Sequence, residues 1–349
     1  MGKPGGGRAE ISKRIMSKFH IINYTVPAEA QMKKIFETIV SHKFHNFEEE
    51  IKGLSEFLAL GTINLFNAIQ ENFLPSPAKS HYVFNMRDIS KVFQGIYLAD
   101  KAFYETKEHI IKLWSHEVLR VFSDRLISFE DRDIFKGYLQ DQLSMHFQMD
   151  YKEHCQTNGV DAVFVDFLNE NMKVYEEVTD FAKLRDYLNE KLEQYNATPK
   201  FVKMDLVLFR DAITNVAKIY RVLNLKRGHA FLVGVGGSGR HSLTRLSAYI
   251  SEMNIYQLEV TKGFQLKNFR EFIKDLYAVS SYSSKGSYKT VFIFSDNDIV
   301  HESFLEDVNN MLSSGLVPNL HTNDELNKIV EDSKRAFKKD GFLSELPEQ

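Results

Sequence analysis

The stretch Gly234-Val235-Gly236-Gly237-Ser238-Gly239-Arg240-His241-Ser242 lies between a short apolar run at 230–233 and a helical pattern that begins at Arg240. A glycine-rich turn in this position suits a phosphate group. Glycines let backbone N–H groups face the ligand, and the helix N-terminus supplies unpaired donors and positive potential. We therefore predict that the turn binds a phosphate-containing ligand. The alternative is a tight turn that binds nothing.

Two phosphate-binding fingerprints fit this turn. Gly234 and Gly239 have the G-x-x-x-x-G spacing of a P-loop. Gly234, Gly236 and Gly239 also satisfy G-x-G-x-x-G, the dinucleotide-binding fingerprint, and Glu259 lies about 20 residues further on, where a ribose-binding acid is expected. The spacing alone does not separate a nucleotide-binding P-loop from a dinucleotide site of the kind found in oxidoreductases.

As a P-loop the turn departs from the usual pattern at two positions. Arg240 stands where a lysine normally reaches the β- and γ-phosphates, and arginine keeps the charge but has a larger, planar head. His241 stands where a Ser or Thr hydroxyl normally binds Mg²⁺, and Ser242 comes one residue late. The sequence therefore predicts a degenerate nucleotide site.

From residue 228 onward, predicted strands alternate with predicted helices. The strands are apolar runs, expected at 230–233, 255–260 and 290–294. The helices are amphipathic segments, expected at 240–252, 266–279 and 302–312, the last ended by Gly315. This alternation predicts an α/β fold with a parallel, doubly wound sheet.

The end of the third predicted strand should carry the second half of a P-loop ATPase site. Such a strand ends with an Asp for the metal and a Glu for the attacking water. Here the metal position falls on Ser295 and the base position on Asp296. A shift of one residue makes Asp296 the metal ligand and leaves Asn297, which cannot take a proton, as the base. Both alignments predict weak hydrolysis.

The residues before this region are mostly helical in pattern. Residues 28–142 predict a small helical bundle that Pro75 and Pro77 divide, and 107–126 has the clearest apolar face. Two further helices are expected at 177–195 and 205–223. Near the N-terminus, 3–8 is typical of a loop and 17–24 of the end of a strand.

Composition limits the classes of function. The 349 residues suggest two or three domains, and a net charge of −3 offers no overall positive charge for nucleic acid or an anionic membrane. The single cysteine, Cys155, suits a reducing compartment. No apolar run approaches the ~20 residues that span a bilayer, and the N-terminus lacks a secretory signal pattern. We expect an intracellular protein without a nucleic-acid or membrane partner.

Several separate blocks of the chain resemble the dynein heavy chain family. The blocks similar to its fourth AAA+ module are Gly234–Leu246, Phe292–Asp296, Glu302–Asn310 and Val317-Pro-Asn-Leu320. The blocks similar to the lid and large-subdomain end of its third module are Pro75–Gly95, Leu113–Leu126 and Pro4–Phe19. Arg240 in place of lysine is similar to axonemal heavy chains, and Asp166–Glu176 resembles an inner-arm chain. The resemblance favours the P-loop over the dinucleotide interpretation.

The resemblance implies a role for each candidate residue. It implies an arginine finger at Arg14, a lid arginine at Arg87 that reaches its own module's nucleotide, and a catalytic or metal-facing acid at Asp296. Ser242 and Asp296 are the candidate Mg²⁺ ligands. The implied ATP or ADP contacts are Gly234, Gly236, Gly237, Ser238, Gly239, Arg240, His241 and Ser242 around the phosphates, with Val207, Leu208 and Phe209 against the adenine.

The resemblance also implies an organisation and a function. It divides the chain into the end of a large subdomain (1–24), a helical lid (25–142), a connector (143–204) and part of a P-loop AAA+ subdomain (205–349). It implies a fragment of an ATP-driven, minus-end-directed microtubule motor of the ciliary or flagellar axoneme. Neighbouring AAA+ modules, intermediate and light chains and microtubules would be the partners. The alternatives are a stand-alone pseudo-ATPase with a structural role and a dinucleotide-binding oxidoreductase.

Overall fold

The computed structural model of the chain describes residues 12–22, 25, 27–157, 159–169, 173–199, 201–280 and 289–339. The chain divides into two compact units, Met1–Gln156 and Thr157–Gln349. Each unit is built around its own buried residues.

The secondary structure in the described part of unit 1 is helical, apart from Gln156 at its end. Its α-helices are α1 (Lys13–Met16), α2 (Glu29–Phe44), α3 (Glu49–Lys52), α4 (Leu54–Asn72), α5 (Met86–Ile96), α6 (Lys107–Val121), α7 (Phe129–Phe147) and α8 (Tyr151–His154). Short 3₁₀ turns lie at Pro77–Lys79 and Ser123–Arg125. The predicted helical bundle is therefore confirmed, with Pro77 in the turn that separates α4 from α5.

Local sequence explains where these helices begin. Asn85, Thr106 and Ser128 each accept a hydrogen bond from a backbone N–H of the first turn of α5, α6 and α7, respectively. The core of the unit includes Trp114, which is fully buried and donates a 2.9 Å hydrogen bond from Nε1 to Thr62 Oγ1. This bond satisfies the one polar atom of the indole.

The strand predicted at 17–24 is wrong for its described part. Ser12 accepts from the N–H of Ile15 and starts the short helix α1, and residues 17–22 form no strand. A strand needs a partner to pair with, and local composition does not supply one. The loop predicted at 3–8 lies outside the described residues.

Unit 2 contains short strands and six helices in its described part. Its strands are β1 (Gln156–Thr157, which starts at the unit boundary), β2 (Val160–Asp161), β3 (Phe164–Val165), β4 (Glu176–Glu177), β5 (Asn254–Gln257) and β6 (Thr290–Ile293). Its α-helices are α9 (Phe181–Ala197), α10 (Arg210–Asn224), α11 (Arg240–Ile250), α12 (Leu266–Ser280), α13 (Ser303–Ser314) and α14 (Asn323–Lys339). A 3₁₀ turn spans Asp296–Asp298.

Strands β5 and β6 pair in parallel, with Asn254 opposite Thr290 and Gln257 opposite Ile293. The helix α12 connects them, as expected for a parallel crossover. Strands β1 and β2 pair with each other, and β3 pairs with β4 antiparallel. The predicted parallel α/β arrangement is therefore present around β5 and β6.

The predicted strand at 230–233 is not paired in the described part of the chain. Phe231 and Val233 are 86% and 63% exposed, while Leu232 packs against the core formed by α9, α10 and α11. The apolar run thus has one inward residue, but it lacks the neighbouring strand that would make it part of the sheet.

Two predicted helices begin later than their apolar pattern suggests. The helix predicted from 177 begins at Phe181, because Asp180 accepts from the N–H groups of Ala182 and Lys183 and caps it. The helix predicted from 205 begins at Arg210, and the residues before it are extended. Gly315 ends α13 in the left-handed conformation with φ 78°, as predicted.

Candidate phosphate-binding site

The glycine turn leads directly into α11. Gly239 is the N-cap residue, with φ 77°, and Gly237 has φ 78°. Residues with a Cβ rarely adopt this left-handed conformation, so the two glycines permit the turn. The amide of Ser238 donates to the carbonyl of Val235 at 3.3 Å, which closes the turn before the helix.

The N-terminus of α11 leaves backbone donors free for a ligand. The first intrahelical bond runs from the N–H of Leu243 to the carbonyl of Gly239 at 2.8 Å. The N–H groups that precede Leu243 in the helix have no carbonyl of the preceding turn to bind, and no side chain caps them. These donors and the helix dipole favour an anion at this end.

Arg240 lies across the glycine turn. Its guanidinium donates from Nη2 to the carbonyl of Val235 at 3.4 Å, and the side chain is half-buried. This places a permanent positive charge beside the helix N-terminus. His241 is exposed, and Ser242 is half-buried one position further along the helix.

The rest of α11 is fixed to the unit by packing and hydrogen bonds. Leu246 and Ala248 are fully buried, and the hydroxyl of Ser247 donates to the carbonyl of Val216 in α10 at 3.2 Å. Arg245 donates from Nη2 to Oε1 of Gln257 in β5 at 2.6 Å. The helix that carries the glycine turn is thus held by both a helix and a strand.

The predicted acid at the end of β6 lies on the surface. Asp296 is exposed, and its carboxylate has no hydrogen-bond partner within the described part of the chain, while its carbonyl accepts from the N–H of Ile299 at 3.2 Å. Strand β6 itself packs on α11, because Val291 and Ile293 share a buried cluster with Ala248. Asp296 therefore follows a strand that contacts the helix bearing the glycine turn.

Sequence reasoning missed Asp298. This residue is 7% exposed, and its Oδ2 accepts from the backbone N–H of Ser295 at 2.7 Å and from the Ser295 hydroxyl at 2.8 Å. The Ser-x-x-Asp spacing of a capping box was the available signal. The hydroxyl of Ser295, at the predicted metal position, thus donates its proton to Asp298.

The three predicted adenine contacts have different environments. Leu208 is buried in the core of α9, α10 and α11. Val207 and Phe209 are 80% and 61% exposed just before α10. The structure leaves Val207 and Phe209 available to a ligand and gives Leu208 a core role.

The two predicted arginines of unit 1 are both exposed. Arg14 lies in α1, and Arg87 lies in the first turn of α5, where its N–H donates to Asn85 Oδ1 at 2.9 Å. The next residue, Asp88, is 2% exposed and accepts 2.8 Å and 3.3 Å hydrogen bonds from Arg125. This pair fixes the helix end that carries Arg87.

Other candidate sites are weaker. Two clefts of about 480 and 640 Å³ in the described part of the chain are lined by none of the glycine-turn residues. Within the same residues, no group of three or more His, Cys, Asp and Glu side chains is arranged to hold a metal ion. No described helix is both long and apolar enough to cross a membrane.

Two protein-family models match the chain. Residues 204–346 match the P-loop containing dynein motor region D4, and residues 33–132 match the ATPase lid domain of the dynein heavy chain. The first match includes the glycine turn and both strands of the parallel pair. It favours the P-loop over the dinucleotide interpretation. The fold is therefore an α/β P-loop AAA+ module preceded by an all-α lid bundle.

Curated relatives agree with these models. The chain is 46% identical over 96% of its length to mouse dynein axonemal heavy chain 2 and 46% identical over 94% to the human protein of that name. It is 42% identical over 98% of its length to the dynein-1-beta heavy chain of the flagellar inner arm I1 complex of Chlamydomonas reinhardtii. It spans only 7–8% of the length of these relatives. The chain matches both the motor and the lid models and is 42–46% identical to these relatives along nearly all of its length. It therefore belongs to the axonemal dynein heavy chain family.

Proposed function

We propose that the glycine turn binds ATP or ADP and that this site turns nucleotide over slowly. The observation that carries the proposal is the free N-terminus of α11, with Gly237 and Gly239 in left-handed conformations and the Arg240 guanidinium beside it. Backbone donors, helix dipole and a fixed cation together suit a di- or triphosphate.

Slow hydrolysis follows from the end of β6. A glutamate normally activates the attacking water, whereas Asp296 is shorter by one methylene and is followed by Asn297, which cannot accept a proton. The Ser295 hydroxyl is held by Asp298. We propose that this module serves to bind nucleotide and so to influence its neighbours.

The remaining candidate residues extend this proposal. Val207 and Phe209 are exposed apolar side chains that suit an adenine ring. Arg14 and Arg87 are exposed cations that suit phosphates, as an arginine finger and a lid arginine of the third module. The same proposal divides the chain at 24, 142 and 204 into subdomain end, lid, connector and P-loop subdomain.

For the whole protein we propose an ATP-driven, minus-end-directed microtubule motor with a ring of AAA+ modules. Its partners would be the neighbouring modules, the intermediate and light chains, and microtubules. The axonemal relatives place it in a cilium or flagellum. The flagellar inner-arm relative supports an inner-arm position.

A titration of the purified 349-residue chain with a fluorescent ADP analogue tests the nucleotide site. Saturable binding is expected, and Arg240→Ala is expected to weaken it by at least ~10-fold, because a charge-assisted phosphate contact is worth about 1.5–3 kcal/mol. Lys328→Ala is the matched control, since Lys328 is an exposed cation on α14. Equal affinity of Arg240→Ala and the parent chain would contradict the proposed phosphate contact.

A further inference from the structure

The P-loop fold implies a Mg²⁺ ion beside the phosphates. In a P-loop, one oxygen ligand of that ion comes from the start of the helix that follows the turn, which is α11 in this chain. Mg²⁺ requires near-ideal octahedral oxygen coordination and is held by hydroxyl and carboxylate oxygens together with phosphate. The second helical position, where the hydroxyl is needed, is His241, which supplies no oxygen. Ser242 is one residue later and therefore projects about 100° around the helix from that position.

The oxygens at the end of β6 do not replace the hydroxyl that is missing from α11. The Ser295 hydroxyl donates to Asp298 at 2.8 Å, and the same carboxylate oxygen of Asp298 accepts the backbone N–H of Ser295 at 2.7 Å. Asp298 is thereby held in a buried capping interaction and faces its own turn. Asp296, the remaining carboxylate, is exposed. The hydroxyl oxygen with which a P-loop holds Mg²⁺ is therefore missing from α11, and Asp296 is the one exposed carboxylate left for the ion at the end of β6, so the residues present do not fit the usual P-loop Mg²⁺ site.

We propose that the glycine turn binds its nucleotide without a divalent cation. This proposal rests on the proposed function, because it concerns how the same site holds phosphate. The positive charge that Mg²⁺ would supply comes instead from the chain itself. The Arg240 guanidinium lies over the turn, and the N-terminus of α11 adds unpaired N–H donors and its dipole.

Arginine suits this task better than the lysine it replaces. Its guanidinium is planar and delocalised and can donate two parallel hydrogen bonds to a phosphate, whereas a lysine ammonium acts as a point charge. In this chain Arg240 also donates to the Val235 carbonyl, which orients the guanidinium before any ligand arrives. His241 lacks the hydroxyl that would bind Mg²⁺, and the adjacent Arg240 stands in place of the usual lysine. The guanidinium of Arg240 thereby supplies positive charge that the missing metal ion does not.

The test compares the affinity of the 349-residue chain for a fluorescent ADP analogue in excess Mg²⁺ and in excess EDTA. Arg240→Ala, measured in parallel, verifies that the signal comes from the turn at 234–242. Chelation is expected to leave the dissociation constant within ~3-fold or to tighten binding, since the site takes the metal-free nucleotide. A loss of ~10-fold or more on chelation would overturn the proposal.

His241→Thr supplies the matched variant. It restores a hydroxyl at the second helical position on an exposed site, so the fold should tolerate it. Chelation is expected to weaken nucleotide binding to this variant by at least ~3-fold, while the parent chain is unaffected. If chelation leaves the variant and the parent chain equally unaffected, then the missing hydroxyl does not explain metal-free binding and the proposal fails.

The outcomes also separate this proposal from the proposed function. Binding that requires Mg²⁺ overturns metal-free binding and leaves the nucleotide site intact. No binding under either condition overturns the nucleotide site, and metal-free binding falls with it. Circular dichroism of each sample, recorded before titration, verifies that the protein measured is folded.

Discussion

Asp88, which is buried, and Arg125, which is partly buried, form an ion pair beside the candidate residue Arg87. Arg125 donates twice to the Asp88 carboxylate and once to the carbonyl of Val83, and its guanidinium lies 4.8 Å from the Phe84 ring centroid. Lys91 also contacts Asp88 at 3.1 Å. These contacts hold residues on both sides of Arg87, so the position of that arginine depends on them.

Replacement of Arg125 by Met is expected to destabilise unit 1 by about 3 kcal/mol, because it leaves the Asp88 carboxylate buried without its main partner. Urea unfolding monitored by tryptophan fluorescence measures this loss. Lys52→Met is the control: its pair with Glu49 is exposed, so a change within about 0.5 kcal/mol is expected. Equal effects of the two substitutions would contradict the argument.

The difference between the parent chain and Arg125→Met should depend on pH. Burial alone would raise the pKa of Asp88, but hydrogen bonds from Arg125, Asn85 and Lys91 outweigh it and hold the pKa below its ordinary value of 3.8. The stability gained from the ionised carboxylate is therefore complete above pH 3.8 and is lost as the pH falls through the lower, folded-state pKa. A difference that stays constant through this acidic range would show that Arg125 acts only through Val83 and Phe84.

At the scale of residues, the sequence identified the unusual residues of the motif but not the contacts that side chains make. It identified Arg240 and His241 as departures from a P-loop, because the motif has fixed spacing. It could not show that the Ser295 hydroxyl donates to Asp298, since this hydrogen bond depends on the turn that brings the Asp298 carboxylate back to Ser295. Likewise, three adjacent apolar residues at 207–209 look equivalent in sequence, and only packing places Leu208 in the core.

Two helix glycines give a matched test of packing at the scale of elements. A Cβ added at Gly95 in α5 would overlap the carboxylate of Glu117, which is fully buried and paired with Arg120 at 2.7 Å. A Cβ added at Gly137 in α7 would have nothing within 4 Å. Both positions lie inside helices, so the difference between them isolates the contact of α5 with α6.

Gly95→Ala is expected to destabilise unit 1 by about 2 kcal/mol, because the buried Glu117 cannot move away without leaving its ion-pair partner Arg120. Gly137→Ala is expected to stabilise it by about 0.5–1 kcal/mol, through the better helix propensity of alanine at an exposed position. Thermal unfolding followed by tryptophan fluorescence compares the two. Stabilisation by both substitutions would mean that α5 and α6 do not pack as described.

The elements that sequence predicted well are those whose signal is local. Helices such as α6, α11, α12 and α13 have an apolar face, and several have a cap, so their positions were found to within a few residues. Pairing in a sheet is not local. The run 230–233 has the apolarity of a strand, and yet Phe231 is exposed because no described neighbour pairs with it.

At the scale of the whole molecule, each unit has its own core. The buried clusters that include α9, α10 and α11 and those around β5, β6, α12 and α13 all lie within unit 2. Trp114, the single tryptophan of the sequence, is buried within unit 1, while the glycine turn belongs to unit 2. Tryptophan fluorescence therefore reports on unit 1, whereas the proposed nucleotide site lies in unit 2.

We expect the chain to unfold in two steps, because each of the two compact units has its own buried residues. ADP at about 100 times its dissociation constant should stabilise unit 2 by about 2.7 kcal/mol, which raises its midpoint by roughly 5–10 °C. Circular dichroism should record this shift, whereas the transition seen by Trp114 fluorescence stays where it was. Arg240→Ala, with ~10-fold weaker binding, should reduce the shift to about half and leave the fluorescence transition unchanged. If ADP moved the fluorescence midpoint by the same amount, the two units would unfold as one, and nucleotide at the glycine turn would stabilise the helical lid directly.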